Sequence, residues 1–216
     1  MRVLAIDGAL ARCSAALVAD DELVAVRQAA GGAGHAATIP VLVDAVLQAA
    51  GRGFDLVAVT IGPGSFTGIR AALSVAHGAA IGAGRPIVGV TVGEALAAAL
   101  PHLAARALWA AIDSRRGHVL LERDGVVASV PLTGLPPAGG PVAVAGDAAI
   151  AVAARLAARG NDVMLTDARL PLPRHVAVVG RRRFQGELPP RAAEPLYVDP
   201  PAITVPAVPP RPAPVP

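Results

Sequence analysis

One nearly continuous apolar run, Phe54 to Ile61, breaks on Gly62-Pro63-Gly64, and a pattern of helical period follows it. A strand that is apolar at almost every position must be covered on both faces, as in parallel sheets flanked by helices. The rest of the first half must therefore supply neighbours for this strand and helices to cover it. Val3 to Asp7, Cys13 to Ala19 and Leu23 to Gln28 read as strands joined by short turns at Gly8 and Asp20-Asp21, an antiparallel meander. Ile39, Leu42, Val43, Val46 and Leu47 share one helical face, which predicts a helix over about 37–50. Pro40 is tolerated there because it lies in the first turn, and Gly51 stops the helix.

After the break at Gly62 a second helix runs to about Gly82, and Ile87 to Val90 reads as another buried strand. Thr91 can cap a third helix running to about His102. The order is βββαβαβα. Three antiparallel strands followed by alternating helices and parallel strands define an α/β lobe of the ribonuclease-H-like kind. A second lobe begins near Arg106: Leu108 to Ile112, Val119 to Arg123 and Val126 to Val130 read as strands, with Asp124-Gly125 as a hairpin turn. Residues 131–141 read as a surface loop. Val142 to Ala145, a helix near 147–159 and Val163 to Thr166 form a βαβ-like piece, and a short helix is expected around 174–182. The division expected is a lobe over 1–105, a smaller lobe over 106–198 and a tail over 199–216. The last seventeen residues hold eight prolines, which predicts an extended or disordered tail.

Composition removes several function classes. Cys13 is the only cysteine, so no intrachain disulfide and no cysteine-rich zinc site can form, which fits a reducing, cytoplasmic setting. Asp7 interrupts the first apolar run after Val3 to Ile6, so no secretory signal is expected, and no charge-free stretch approaches the roughly 20 residues of a membrane span. The chain has no lysine; all nineteen basic residues are arginine and the formal net charge is only +3. The pI near 10.3 therefore reflects arginines that stay protonated to high pH more than a nucleic-acid surface. A basic stripe with interleaved aromatics would be a better sign, and aromatics make up 2%.

The stretch Gly62-Pro63-Gly64-Ser65-Phe66-Thr67-Gly68-Ile69-Arg70 can be tested against known loop mechanisms. A P-loop needs a lysine, which this chain lacks. A dinucleotide fingerprint needs a third glycine where Thr67 stands, and a nucleophile elbow needs glycines where Pro63 and Thr67 flank Ser65. Two readings stay open: a capped strand-to-helix turn that binds nothing, or a close phosphate contact by Gly62, Gly64, Ser65 and Thr67 at the helix N-terminus. Gly68, Ala72, Ala76 and Ala80 form a small-residue ridge that allows close packing, and Ile69, Leu73 and His77 form its neighbour. Asp7, at the end of the first strand, either bonds turn amides or holds the metal of a nucleotide. His35 has Ile39 where a second helical metal ligand would stand, and no metal site is expected. His77, His102, His118 and His175 are scattered. Arg181-Arg182-Arg183 could meet phosphate or RNA, with a solvated turn as the simpler reading.

The openings Met1 to Ala9 and Cys13 to Val18, His35 before Ile39-Pro40, and above all the glycine-rich stretch from Gly62 to Arg70 resemble the TsaB (YeaZ) family. Arg85 to Val90, Ala110 to Arg115 and Pro195 to Val198 match in order, and the likeness is densest over about residues 1–120. The resemblance implies an actin-like, two-lobed fold without catalytic residues, related to the catalytic TsaD subunit but lacking its metal-binding histidine pair. It implies a non-catalytic scaffold in the installation of N6-threonylcarbamoyl on adenosine 37 of tRNAs reading ANN codons. Partners implied are TsaD, the ATPase TsaE, tRNA through the complex, and a second copy of the chain when alone. No cofactor is implied except ATP and Mg within the complex. The implied partner face lies on the two helices, at His35, Ile39, Leu42, Val46, Phe66, Ile69, Arg70, Leu73, Ala76, His77 and Ala80. Gly8 replaces a usual threonine, which weakens phosphate binding. An active ATP-dependent phosphotransferase using Asp7 is the rival expectation. A metalloprotease is disfavoured by the lone His35.

Overall fold

Along β1 (Arg2–Asp7), alternate side chains part to opposite sides: Leu4 and Ile6 enter one core cluster, Val3 and Ala5 another. The same alternation runs through β2 (Arg12–Ala19) and β4 (Leu56–Gly62), so both faces of this sheet are dry. This is why the sequence shows unbroken apolar runs rather than a period of two. The computed structural model describes residues 1–31 and 34–198. The proline-rich tail expected over 199–216 lies outside the described residues.

β3 (Glu22–Ala30) completes the meander, and β4 and β5 (Ile87–Thr91) run parallel to β1. The strand order is β3-β2-β1-β4-β5. Helices α1 (His35–Ala50) and α2 (Phe66–Ala83) cover one face, with Ile39, Val43, Val46, Ile69, Leu73 and Ala76 buried against it. α3 (Val92–Ala98) begins on a capping box in which Thr91 and Glu94 each accept from the other's backbone amide. It ends earlier than the predicted His102. Pro101 disfavours the helical conformation at Leu100, which takes φ −127°, and a 3₁₀ turn over Pro101–Leu103 follows.

The second sheet repeats the first. β6 (Ala107–Asp113), β7 (His118–Arg123) and β8 (Val126–Pro131) form a meander. β9 (Val142–Ala145) and β10 (Val163–Leu165) then add in parallel, in the order β10-β9-β6-β7-β8. α4 (Ala149–Ala157) covers one face, packing Val152 and Leu156 over Trp109 and Val144. The other face gives Ala110, Ile112, Leu120 and Ala145 to the core shared with α1 and α2. α5 (Pro173–Phe184) leaves this sheet and covers the bare face of the first, burying Val176, Ala177 and Val179. A methyl on Gly180 would collide with Ala58 of β4, so glycine permits that approach. Residues 173–198 thus pack with the first sheet although they follow the second in sequence.

The arginine triplet at the end of α5 is structural. Arg183 is buried and donates to Glu94, to the Gly89 carbonyl at 2.6 Å and to the Pro189 carbonyl at 2.8 Å. Arg181 pairs with Asp21 at 2.9 Å and Arg182 with Glu187 at 3.0 Å. The phosphate or RNA reading of this triplet gives way to these pairings. Across the two sheets, buried Glu122 of β7 accepts from the Thr91 hydroxyl and from the Gly93 amide at 2.8 Å, at the N-terminus of α3. Among the described residues no helix is long and apolar enough to cross a membrane.

α2 crosses the β1–β2 turn so closely that a Cβ on Gly8 would lie 2.6 Å from the Gly68 carbonyl oxygen, and one on Gly68 would collide with the Gly8 carbonyl. Neither neighbour is a flexible side chain. Gly68→Ala is expected to destabilise the chain by about 2 kcal/mol or more, read from the urea midpoint. Gly78→Ala, in the same helix with open space around it, should stabilise by roughly 0.5–1 kcal/mol.

Burial pushes the Glu122 carboxyl above its ordinary value, against its hydrogen bonds from Thr91 and Gly93. Between the ordinary value of 4.5 and the raised one, the folded chain holds this proton and the unfolded chain releases it. Stability from this site is therefore highest at low pH and falls as pH rises through that window. Urea midpoints at pH 4, 5.5 and 7 should show the parent losing ground to Glu122→Gln as pH rises.

Candidate functional site

The end of β4 is drawn onto the β1–β2 turn. Gly62 and Gly64 take φ of 117° and 154°, and the bond between Gly62 and Pro63 is cis. A side chain on Gly64 would strike the Ala9 carbonyl, and that carbonyl accepts from the Ser65 amide at 2.7 Å. Ser65 then caps α2, its Oγ accepting from the Gly68 amide at 3.2 Å. Of the two readings of this loop, the capped strand-to-helix turn describes its local structure, and only Ser65, Phe66 and Thr67 are exposed at its tip.

Asp7 sits beneath this junction with 1% of its surface exposed. Its Oδ1 accepts from the Thr60 hydroxyl at 2.7 Å and from the Ala9 amide at 3.0 Å, while Oδ2 is buried without a partner. Burial raises its pKa, opposed by those two hydrogen bonds and by the charges of Arg12 and His35. In this packing Asp7 bonds the turn next to the close backbone contacts of Gly8 with Gly68 and of Ala9 with Gly64.

In front of the loop lies a cleft of about 390 Å³. Its walls are the tip of the loop with Arg70, the β6–β7 turn at Asp113 to Arg116, and the segment Pro195 to Val198. Arg70 stands 3.7 Å from the Phe66 ring centroid and donates to the Tyr197 hydroxyl at 2.7 Å and 3.2 Å. The Leu196 amide donates to the Ile61 carbonyl at 2.9 Å, and His77 bonds the Ala193 carbonyl at 2.9 Å. Residues 193–198 therefore lie as a strap across the end of β4 and along α2. On the opposite wall, the Asp113 amide donates to Asp147 at 2.9 Å and the Arg115 amide to Asp113 at 2.7 Å. Burial raises the Asp147 pKa, and neighbouring Asp113 adds to the rise. Arg70, Arg115 and Arg116 give the rim an excess of positive charge over Asp113.

The residues expected at a partner face do not share one environment. His35, Ile39, Val46, Ile69, Leu73, Ala76 and Ala80 are buried inside this chain. Leu42 is half-buried. Phe66, Arg70 and His77 are exposed, and Arg70 and His77 hold the 193–198 strap. The ridge of Gly68, Ala72, Ala76 and Ala80 faces inward, where its small size lets α2 approach the sheet and α1. On these two helices Val41 and Ile81 are large apolar residues that stay exposed, at 66% and 80%.

The sequence matched Ala110 to Arg115 in order but gave the Asp113–Arg116 wall no site role. The signal was present in the chain: Ala5-Ile6-Asp7-Gly8 recurs as Ala111-Ile112-Asp113-Ser114. Both aspartates end the first strand of a meander, β1 and β6, so the repeat marks equivalent turns.

Comparison with known proteins agrees with this architecture. Residues 27–175 match the model of a family described as TsaD, tRNA N6-adenosine threonylcarbamoyltransferase. The chain belongs to that family, in which its relatives are the TsaB, or YeaZ, proteins. It is 37% identical over 123 residues to the tRNA threonylcarbamoyladenosine biosynthesis protein TsaB of Escherichia coli, covering 55% of this chain and 53% of that protein. It is 34% identical over 123 residues to the protein of the same name from Haemophilus influenzae, covering 55% and 52%. The chain thus spans about half the length of the curated relatives it matches. YeaZ from Pseudomonas aeruginosa superposes with a TM-score of 0.73 at 25% identity, covering 91% of this chain and 99% of that one. The two-sheet α/β architecture is shared with that YeaZ structure, and its first sheet has the ribonuclease-H-like element order expected from the sequence.

Arg70→Ala removes both bonds to Tyr197 and should loosen the strap without unfolding the sheets. Hydrogen exchange at the Leu196 amide is expected to speed up about fivefold, with core amides of β1 and β4 unchanged.

Proposed function

We propose that this chain is a non-catalytic subunit of the machinery that installs N6-threonylcarbamoyl on adenosine 37 of tRNAs reading ANN codons, acting by pairing with a catalytic TsaD subunit. The observation that carries this reading is the sealing of Asp7. A carboxylate that must hold a nucleotide's metal has to reach the cleft. Here it is buried, bonded to Thr60 and Ala9, and roofed by backbone that glycines allow to touch. The resemblance to TsaB proteins supports the same role, with TsaE joining the assembly, tRNA engaged through the complex, and a homodimer forming in the absence of partners. Nucleotide and Mg enter only with the complex, and the setting is cytoplasmic.

The partner face is assigned to the outward sides of α1 and α2. Exposed Val41 and Ile81 and half-buried Leu42 supply apolar area there, while the buried members of the expected set hold the helices rigid beneath it. Mixing this chain with its cognate TsaD should give a complex on size exclusion. Val41→Arg or Ile81→Arg should weaken it about tenfold or more while leaving the unfolding free energy within about 0.5 kcal/mol of the parent, read from urea denaturation. Complexes of parental strength from both variants would overturn the face. Mg-ATP turnover by the isolated chain that Asp7→Ala abolishes would overturn the non-catalytic role and favour a phosphotransferase.

A further inference from the structure

A second cavity of about 350 Å³ opens away from the strap, between the start of β2, the end of α3 and the connection from β10 into α5. Three nitrogen-bearing side chains line it: Arg12, Arg169 and His175. Arg12 spends Nη2 on the Pro171 carbonyl at 2.6 Å, and its Nε is buried without a partner. Nη1 of Arg169 and Nδ1 of His175 are buried without partners as well. Buried polar atoms nearly always find a partner, and all three belong to side chains that line this cavity.

All three are donors. The Arg174 Nε donates to His175 Nε2 at 3.2 Å, so Nε2 is the accepting nitrogen and Nδ1 carries the hydrogen. Burial, then the charge of Arg174, lowers the His175 pKa, which keeps the ring in this neutral form near pH 7. Two guanidinium groups and a neutral imidazole therefore line one cavity, where the Pro171 carbonyl takes a single Arg12 N–H and the three nitrogens named above have no acceptor. Asp167 is the one carboxylate on the rim and is exposed. Leu100 and Leu170 supply apolar wall beside them. Phosphate oxygens are the group that accepts from several such donors at once.

We propose that this cavity binds a phosphate group, free or as the monoester of a small molecule, held by Arg12, Arg169 and His175. The site is separate from the loop at Gly62 and from the partner face, so it does not depend on the role in tRNA modification. Titration calorimetry of the full chain with inorganic phosphate, at constant ionic strength in chloride, tests it. Saturable binding at one site is expected, with affinity falling at least about tenfold in Arg169→Met and in His175→Phe. Arg27→Met, on exposed β3, should bind as the parent does. Adding glucose 6-phosphate in place of phosphate separates the two sources: tighter binding by the ester assigns the apolar wall to its organic part, and equal binding assigns the site to the free ion. Circular dichroism melts of each variant without ligand establish that it is folded, and either variant alone suffices if the other is not. No saturable binding, loss of binding in Arg27→Met equal to that in Arg169→Met, or acetate binding more tightly than phosphate would each overturn the proposal.

Discussion

Gly8 and Gly68 meet backbone to backbone, and much of the molecule is arranged by that contact. It draws the start of α2 onto the β1–β2 turn, so the loop before the helix must fold over Ala9, and Gly64 is the residue that can. The inward ridge of Gly68, Ala72, Ala76 and Ala80 continues the close approach along the helix. Asp7 is buried as a result, and the cleft forms in front of the loop tip rather than beneath it. The glycine pair thus makes this place a packed junction. The chemistry left at the surface is that of arginines, aromatic rings and exposed aliphatic side chains.

The two sheets share a strand order and a way of ending their first strand, yet they treat the aspartate there differently. Asp7 is sealed by Thr60 and Ala9. Asp113 stays exposed, caps its own turn through the Arg115 amide, and faces the cleft beside two arginines. The asymmetry follows from what covers each turn: α2 lies across the first, while the second fronts the open cleft. Glu122 ties the halves by placing a carboxylate at the N-terminus of α3, where amide hydrogens and the helix dipole favour it.

Strands were legible because apolar runs bounded by glycine and aspartate turns leave few alternatives. The end of α3 was not, because the effect of Pro101 on the residue before it outweighed the continuing apolar pattern at Ala99 and Leu100. The cap at Ser65 was legible from residue types alone. The helical stripe of Ile39, Val46, Ile69 and Leu73 was legible as apolar, and sheet packing was legible for Ile69 and Leu73, but not that the whole stripe faces inward. Periodicity identifies a face that is covered, and both a sheet and a partner can cover it. The pairing of Arg70 with Tyr197 joins positions 127 apart, and no local pattern carries such a contact. Likewise, the amphipathic pattern of α5 says that one side is buried without saying which sheet buries it.

That destination of α5 has a consequence for the order in which the protein becomes whole. The first sheet is assembled from residues made early, but one of its faces, at Val3, Ala5, Ala16, Val18, Leu56 and Ala58, is roofed by Val176, Ala177 and Val179. During synthesis that face stays uncovered while the entire second sheet is being added. A nascent chain halted before residue 173 would present an apolar sheet face to the cell, a ready binding surface for holding chaperones. The arrival of α5, rather than completion of the first half, is the step that makes the first sheet dry on both sides.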